Sequence, residues 1–437
     1  MKKYRVLMPV VMIGLMLASW YLLIEDSVET ENTYTDYLSA ARKYAEDGIT
    51  KYTIDNYNRA LEIKSSPEIY DEVAKYYYEQ GDNQEYLSWC ETFLEAYPTE
   101  SMAYEDILIA YLDDKDYESC FDILEAAKNR EISSKYMKEV SQEIQYVYEL
   151  DFNTFEDVGT YSNYYCSVKN KELWGFVNRY GIQKISCRYA QVNAFTTSDL
   201  ASVMETDGNI YFIDKSGSKV LVSKEEYQKF GLIVDGKIAV QMKDGTYAYT
   251  DQDFNVLFGK YDYASTMNYN VAAVKTKNSW QLIDASGKNI TEDQYTDVKL
   301  DEKQIAYRND RAFVALTDGK YNMIDGSGKR IGDLEFQDAK VFLGNEPTAV
   351  KIDGSWCFVN ADGKLISDKK YDDARAFSNG LAAVCIDGKW GFVDTNENVV
   401  IEPVFFGAKD FNEKGSCFVK TGDKWQLLKL YRLNREE

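Results

Sequence analysis

Three patterns of apolar and polar positions follow one another along the chain. The first is an uncharged run of 19 residues, Val6 to Ile24 (VLMPVVMIGLMLASWYLLI). At ~1.5 Å per residue it spans about 28 Å, close to the hydrocarbon core of a bilayer. It predicts a membrane-spanning helix. Lys2, Lys3 and Arg5 precede the run and Glu25 and Asp26 follow it, so the positive-inside rule keeps the N-terminus cytoplasmic and sends the rest of the chain outward. The run exceeds the roughly 7–15 residues of a signal peptide's apolar region, and no A-x-A site follows it. Residues 1–25 therefore read as a cytoplasmic stub and an uncleaved signal-anchor helix.

After an acidic linker at 26–34, apolar residues recur at helical spacing. Tyr37, Leu38, Ala41, Tyr44 and Ala45 run up to Gly48. Ile69, Tyr70, Val73, Ala74 and Tyr77 stop at Gly81, and Tyr86, Trp89, Phe93, Leu94 and Tyr97 stop at Pro98. Apolar stripes punctuated by Gly and Pro predict helix pairs with short turns over 35–150. Tyr70 to Tyr104 and Tyr77 to Tyr111 are both 34 residues, which points to a repeat.

From 151 to 437 the period changes to strand alternation. Eight short segments align on one anchor position: Trp174-Gly-Phe-Val-Asn, Ile210-Tyr-Phe-Ile-Asp, Tyr247-Ala-Tyr-Thr-Asp, Trp280-Gln-Leu-Ile-Asp, Tyr321-Asn-Met-Ile-Asp, Trp356-Cys-Phe-Val-Asn, Trp390-Gly-Phe-Val-Asp and Trp425-Gln-Leu-Leu-Lys. Their spacings are 36, 37, 33, 41, 35, 34 and 35 residues. An alternating strand and a tight turn precede most anchors, as in LAAVCIDGK before Trp390. Asp-Gly between alternating runs is a strong hairpin signal, because Gly supplies the positive φ of such turns. Each anchor thus opens the second strand of a hairpin and acts as a cross-strand packing element. Phe392 is expected on the face of Trp390 and Val393 on the other, with Gly391 leaving room for the indole. Each unit closes with an aromatic and a Phe six residues on, as in Tyr371 and Phe377. Phe155 and Tyr161 precede Trp174 by the same distances, so the repeats begin near 155.

Three or four short strands per unit of about 35 residues satisfy either a closed, propeller-like ring of seven to eight units or an open β-solenoid, and the ring is the expectation. Cys166 and Cys417 lie at matching places in the first and last units, which closure would bring side by side. The last unit is truncated, so residues near 155–160 are expected to complete the seam.

GKWGFVDTNENVVIEPVF and KKYDDARAFSNGLAAVCIDGKWGFVD resemble the WG-repeat family, named for its Trp-Gly dipeptide, over about two-thirds of the chain. The resemblance implies an all-β repeat domain of bacterial proteins and brings no catalytic residue. DNYNRALEIKSSPEIYDEVAKYYYEQGD and YESCFDILEAA resemble tetratricopeptide repeats, whose stacked helix pairs form a groove for peptides or helices.

Composition narrows the chemistry. The chain has 437 residues, 36 Tyr, 7 Cys and no His. Imidazole general bases and ligands are excluded. The cysteines show no CxxC or other metal spacing, and no phosphate-cradling glycine loop is present. Net charge is −22, concentrated at 25–150, where 30 acids face 11 bases; nucleic-acid binding is disfavoured. Asp394, Asn396 and Asn398 alternate like a calcium loop but lack its Gly and terminal Glu, so turn chemistry explains them. Carboxylate pairs such as Asp372-Asp373 and Asp113-Asp114 carry little weight among 72 acids. No catalytic, cofactor or metal residue is assigned. The expectation is a membrane-anchored extracytoplasmic scaffold binding protein partners, with envelope-glycan binding as the alternative and a His-independent glycoside hydrolase as a weaker one.

Overall fold

A computed structural model describes residues 30–224, 226–317 and 319–433, together with Met16, Ser19, Trp20 and Val28. Of the apolar run at 6–24, only Met16, Ser19 and Trp20 fall among the described residues. No helix among the described residues is long and apolar enough to cross a membrane. The chain divides into two compact units, residues 1–145 and 146–437.

Seven helices make up the described part of the first unit. Helix α1 covers residues 30–46, so part of the stretch read as a linker is helical. It is followed by α2 Thr50–Ile63, α3 Pro67–Gln80, α4 Asn83–Ala96, α5 Ser101–Asp113, α6 Tyr117–Asn129 and α7 Lys135–Glu143. Helices α3 and α5 start 34 residues apart, as do α4 and α6. Gly81 ends α3 in the left-handed conformation at φ 70°. Asp82 then caps α4 by accepting from Glu85 N at 3.3 Å, and Asp116 caps α6 through Ser119 N at 3.1 Å. The stripes seen in the sequence meet in one core that includes Ala41, Tyr57, Val73, Tyr77, Cys90 and Ile107.

Residues 146–437 fold as an eight-bladed β-propeller. Blades 1 to 7 span 157–189, 191–221, 229–261, 263–295, 297–336, 338–371 and 373–405. In blades 4 and 6 the fourth strand is reduced to isolated bridges, Trp280 with Tyr295 and Trp356 with Tyr371. Blade 8 takes three strands from 407–430, and its outermost strand, Tyr148–Phe155, comes from the start of the unit. That strand pairs antiparallel with Lys424–Leu430 and closes the ring. The open solenoid is thereby excluded, and the closing strand lies slightly ahead of the 155–160 stretch. Cys166 and Cys417 are both buried free thiols, and Cys166 shares a core cluster with Phe418 and Leu427 of blade 8.

Apolar side chains interlock between neighbouring blades; Phe176 of blade 1 meets Phe195 of blade 2 with ring centroids 4.8 Å apart. Seven of the eight anchors stand opposite an aromatic on the next strand: Trp174 with Tyr189, Tyr247 with Tyr261, Trp280 with Tyr295, Tyr321 with Phe336, Trp356 with Tyr371, Trp390 with Phe405 and Trp425 with Phe155. Ile210 has no such partner among the described residues. Phe392 joins the cluster against which Trp390 packs, whereas Val393 belongs to the neighbouring one.

The glycine of the Trp-Gly pair does something other than make room for the indole. A Cβ on Gly391 would strike the Ile401 carbonyl oxygen and stand 2.7 Å from the Pro403 nitrogen. A Cβ on Gly175 would likewise strike the Ile185 oxygen and lie 2.6 Å from the Cys187 nitrogen. In both blades the outer strand carries a bulge opposite the glycine, because Trp390 and Phe392 pair with Phe405 and Ile401, and Trp174 and Phe176 with Tyr189 and Ile185. The bulged backbone crosses where a side chain would sit. Blade 3 solves the same crowding from the other strand: Ala248 replaces the glycine, and Gly259 lies opposite, its added Cβ only 2.8 Å from Ala248 Cα.

Candidate binding site at the ring axis

In every blade but the third the first strand is two residues long and ends in Ala or Val, and the residue that follows it differs from blade to blade. In blades 5 to 8 that residue is a cation: Lys299, Lys340, Arg375 and Lys409. In blades 1, 2 and 4 it is Gly159, Asn193 and Ser265. At this position one half of the ring is cationic and the other small or polar.

Three of the four cations are tied to the next blade. Lys299 Nζ lies 2.8 Å from Asp338 Oδ1, Lys340 Nζ 4.0 Å from Asp373 Oδ1, and Arg375 grips Asp410 at 2.7 and 2.8 Å. Three of them also sit over an anchor ring of their own blade, with Lys299 4.2 Å from the Tyr321 centroid, Lys340 4.5 Å from Trp356 and Lys409 5.7 Å from Trp425.

Between the inner strand of blade 5 and its second strand, residues 299–311 form a loop that reaches several other blades. Glu302 receives Arg375 Nη2 of blade 7 at 2.9 Å and Lys409 Nζ of blade 8 at 3.0 Å. Lys303 Nζ donates to the Tyr161 carbonyl of blade 1 at 3.2 Å. On blade 4, Thr266 N donates to Gln304 O at 2.7 Å and Thr266 Oγ1 to Lys303 O at 2.8 Å. The tip is held internally by Asp301, whose Oδ1 accepts from Lys303 N and Ile305 N at 2.8 Å each and whose Oδ2 pairs with Arg308 at 2.7 Å. The loop thus crosses the axis. Its trace in the sequence is the 41-residue spacing between Trp280 and Tyr321, the longest of the seven.

Two cavities flank this crossing and share Thr160, Glu302 and Lys303 in their walls. The larger, about 470 Å³, lies against blades 1 to 4 and mixes Trp174, Phe230, Tyr247 and Tyr263 with Ser167 and Asn193. The smaller, about 290 Å³, is bounded by Tyr161, Asp301, Arg308, Arg375, Asp410 and Asn412, among others. Burial works against the charge of Glu302, but Arg375 and Lys409 outweigh it and hold its carboxyl below the ordinary range. Burial also works against the Arg375 charge, and Asp410 and Glu302 outweigh that in turn. Lys303 is the exception. Burial, and then Arg308, push its ammonium down.

The eight anchor residues do not come together in one site. Trp280, Tyr321 and Trp356 are buried, Trp174, Ile210, Tyr247, Trp390 and Trp425 half-buried, and Trp174, Ile210 and Tyr247 line the larger cavity. Asp394 Oδ1 accepts from Asn396 N at 2.9 Å and Asn398 N at 2.8 Å, which is an Asx turn. No cluster of three metal-ligating side chains exists among the described residues. Asp372 and Asp373 cap local backbone, accepting from Gly388 N and Ala374 N. Asp113 and Asp114 end α5 in the helical unit.

The family described as WG containing repeat matches two consecutive stretches, 356–390 and 390–425. Residues 356–425 are WG repeats. They run from the anchor of blade 6 through blade 7 to that of blade 8. No curated protein matches the chain. Among solved structures, the chain is similar to BamB from Moraxella catarrhalis, at 10% identity and TM-score 0.42 over 65% of this chain and 100% of that one. It is also similar to the C-terminal WD40 domain of Sif2, at 11% identity and TM-score 0.43 over 65% and 99%. A third is PorZ, a surface component of the type-IX secretion system of Porphyromonas gingivalis, at 10% identity and TM-score 0.35 over 63% of this chain and 42% of that one.

Proposed function

We propose that the protein is a membrane-tethered extracytoplasmic scaffold that binds other proteins through its helical repeats and the surface of its propeller. The observation that carries this reading is the fate of the anchor rings. Trp356 is 5% exposed and Trp280 8%, and the half-buried Trp174, Trp390 and Trp425 each stand opposite an aromatic on the next strand, so the recurrent indoles serve packing first and form no open row of sugar platforms. At the axis Asp301, Glu302 and Asp410 are each paired with a cation, which supports binding rather than acid–base chemistry. The 34-residue recurrence of α3/α4 in α5/α6 supports a tetratricopeptide-like array. The tether rests on the apolar run at 6–24 and its flanking charges.

Glycan binding keeps footholds in exposed rings such as Tyr164 and Tyr269, on turns of blades 1 and 4, and in the aromatic residues that line the larger cavity. Crosslinking in intact cells, followed by affinity recovery of the tagged full-length chain, separates the two readings. Recovery of one stoichiometric protein supports the scaffold. Recovery of envelope polymer alone sinks it in favour of glycan recognition.

A further inference from the structure

We propose that the smaller axial cavity binds a small oxyanion, a carboxylate or a phosphate, on the ammonium of Lys303. The case begins with a pairing tally. Among the charged groups at this crossing, Asp301 is taken by Arg308, Asp410 by Arg375, and Glu302 by Arg375 and Lys409 together. Lys303 is left over. An ammonium has three donors, and the bond Lys303 makes is to a neutral acceptor, the Tyr161 carbonyl at 3.2 Å. Glu413, the remaining carboxylate of the lining, is exposed and forms no ion pair with it.

Other donors of the same wall are also short of acceptors. Arg308 Nε and Asn412 Nδ2 are buried and have no hydrogen-bond partner, and both residues line this cavity. Both atoms are closed off from the cavity space itself, so the group that an acceptor-rich anion meets is the Lys303 ammonium, which has donors to spare. A volume of about 290 Å³ takes an oxyanion with several waters, at about 30 Å³ per water. The site is carried by the inserted loop, so the 41-residue unit would be the one that turns a packed ring into a ligand-holding one.

The test is equilibrium titration of the purified full-length chain with inorganic phosphate and, separately, acetate, against chloride at matched ionic strength. Saturable one-to-one binding of either anion is expected. Lys303→Met should weaken it by about tenfold or more, the loss of one charge-assisted contact, while Lys320→Met, a surface control on blade 5, leaves it unchanged. Glu413→Gln removes a neighbouring like charge and should tighten binding about two- to fivefold. The proposal falls if neither anion saturates below about 10 mM, or if folded Lys303→Met binds as well as the parent. Should Lys303→Met fail to fold by near-ultraviolet circular dichroism, Glu413→Gln decides: unchanged affinity overturns the site.

Discussion

Phe155 stands directly opposite Trp425 in the strand pair that closes the ring, 270 positions away along the chain. The pairing places Phe155 as the closing aromatic of blade 8, the role Tyr371 plays for Trp356 and Phe405 for Trp390. Phe155 is 8% exposed and meets Phe418 edge-on at 5.9 Å. Phe155→Ala should cost about 3–5 kcal/mol and loosen the seam before the rest of the ring. Hydrogen exchange should speed first at Lys424–Leu430. Uniform loss of protection in all blades would show that the ring melts as one body and that the seam is not its weak point.

The bulge opposite Gly391 gives a sharper mutational contrast. Gly391→Ala must displace the backbone of Ile401 to Pro403 and should destabilise by about 2–3 kcal/mol or more. Gly388→Ala sits in open space at φ 74° and should cost only about 1 kcal/mol. Thermal melts of the two variants check the order. Equal losses would mean that the outer strand yields easily and that the glycine recurs in these two blades for another reason.

Arg375 joins blade 7 to blade 8 and to the crossing loop through Asp410 and Glu302. Arg375→Met strands Asp410, leaves Glu302 to Lys409 alone, and should cost about 3–5 kcal/mol. The same network sets an acid response. The folded Glu302 carboxyl lies below its ordinary value of 4.5, so its contribution is fully present above that value and is lost as pH falls through the depressed folded one. Melting temperature of the parent should drop steeply below about pH 4.5, and Glu302→Gln should flatten that slope. A slope unchanged by the substitution would assign the acid response to other carboxylates.

Much of the ring was legible because its signals are local. Trp, Tyr and Asp-Gly pairs mark hairpins within ten residues of each other, whereas Phe155, read as opening the first unit, ends the strand that completes blade 8. The axis was not legible in the same way. Glu302 meets Arg375 and Lys409 only because eight blades bring them around one centre, and neither periodicity nor turn chemistry encodes a contact of 73 or 107 positions. The available signals were the 41-residue spacing and the column of Lys299, Lys340, Arg375 and Lys409 after each inner strand. The role of Gly391 is hidden for a related cause: a bulge on the neighbouring strand is invisible to a pattern of single residues.

Whether the anchors hold the fold or hold ligand is decided by comparing Trp356 with Tyr269. Trp356 is 5% exposed and Tyr269 72%. Trp356→Ala should destabilise the propeller by about 3–5 kcal/mol, whereas Tyr269→Ala should stay within about 0.5 kcal/mol of the parent. Denaturant midpoints at constant slope measure both. A stable Trp356→Ala variant with lost partner binding would reverse the assignment of the indoles.

The helical unit carries its own pH signature in Asp106. Its side chain is 5% exposed on α5, and its Oδ2 has no partner. Burial raises its carboxyl first, the nearby Asp71 and Glu105 add to the effect, and Lys75 opposes it, leaving the group pushed up to about 7 from 3.8. Lys75 is itself engaged by Asp71 at 2.7 Å. Because the folded value lies above the unfolded one, the unit is most stable below the unfolded value and loses stability as pH rises through about 7. Asp106→Asn removes the ionisation and keeps the shape. It should raise the melting temperature of the helical unit at pH 8, by an amount worth up to about 4 kcal/mol, and change little at pH 4. An equal gain at both values would mean that the aspartate is disfavoured for its polarity alone, with no part played by its charge.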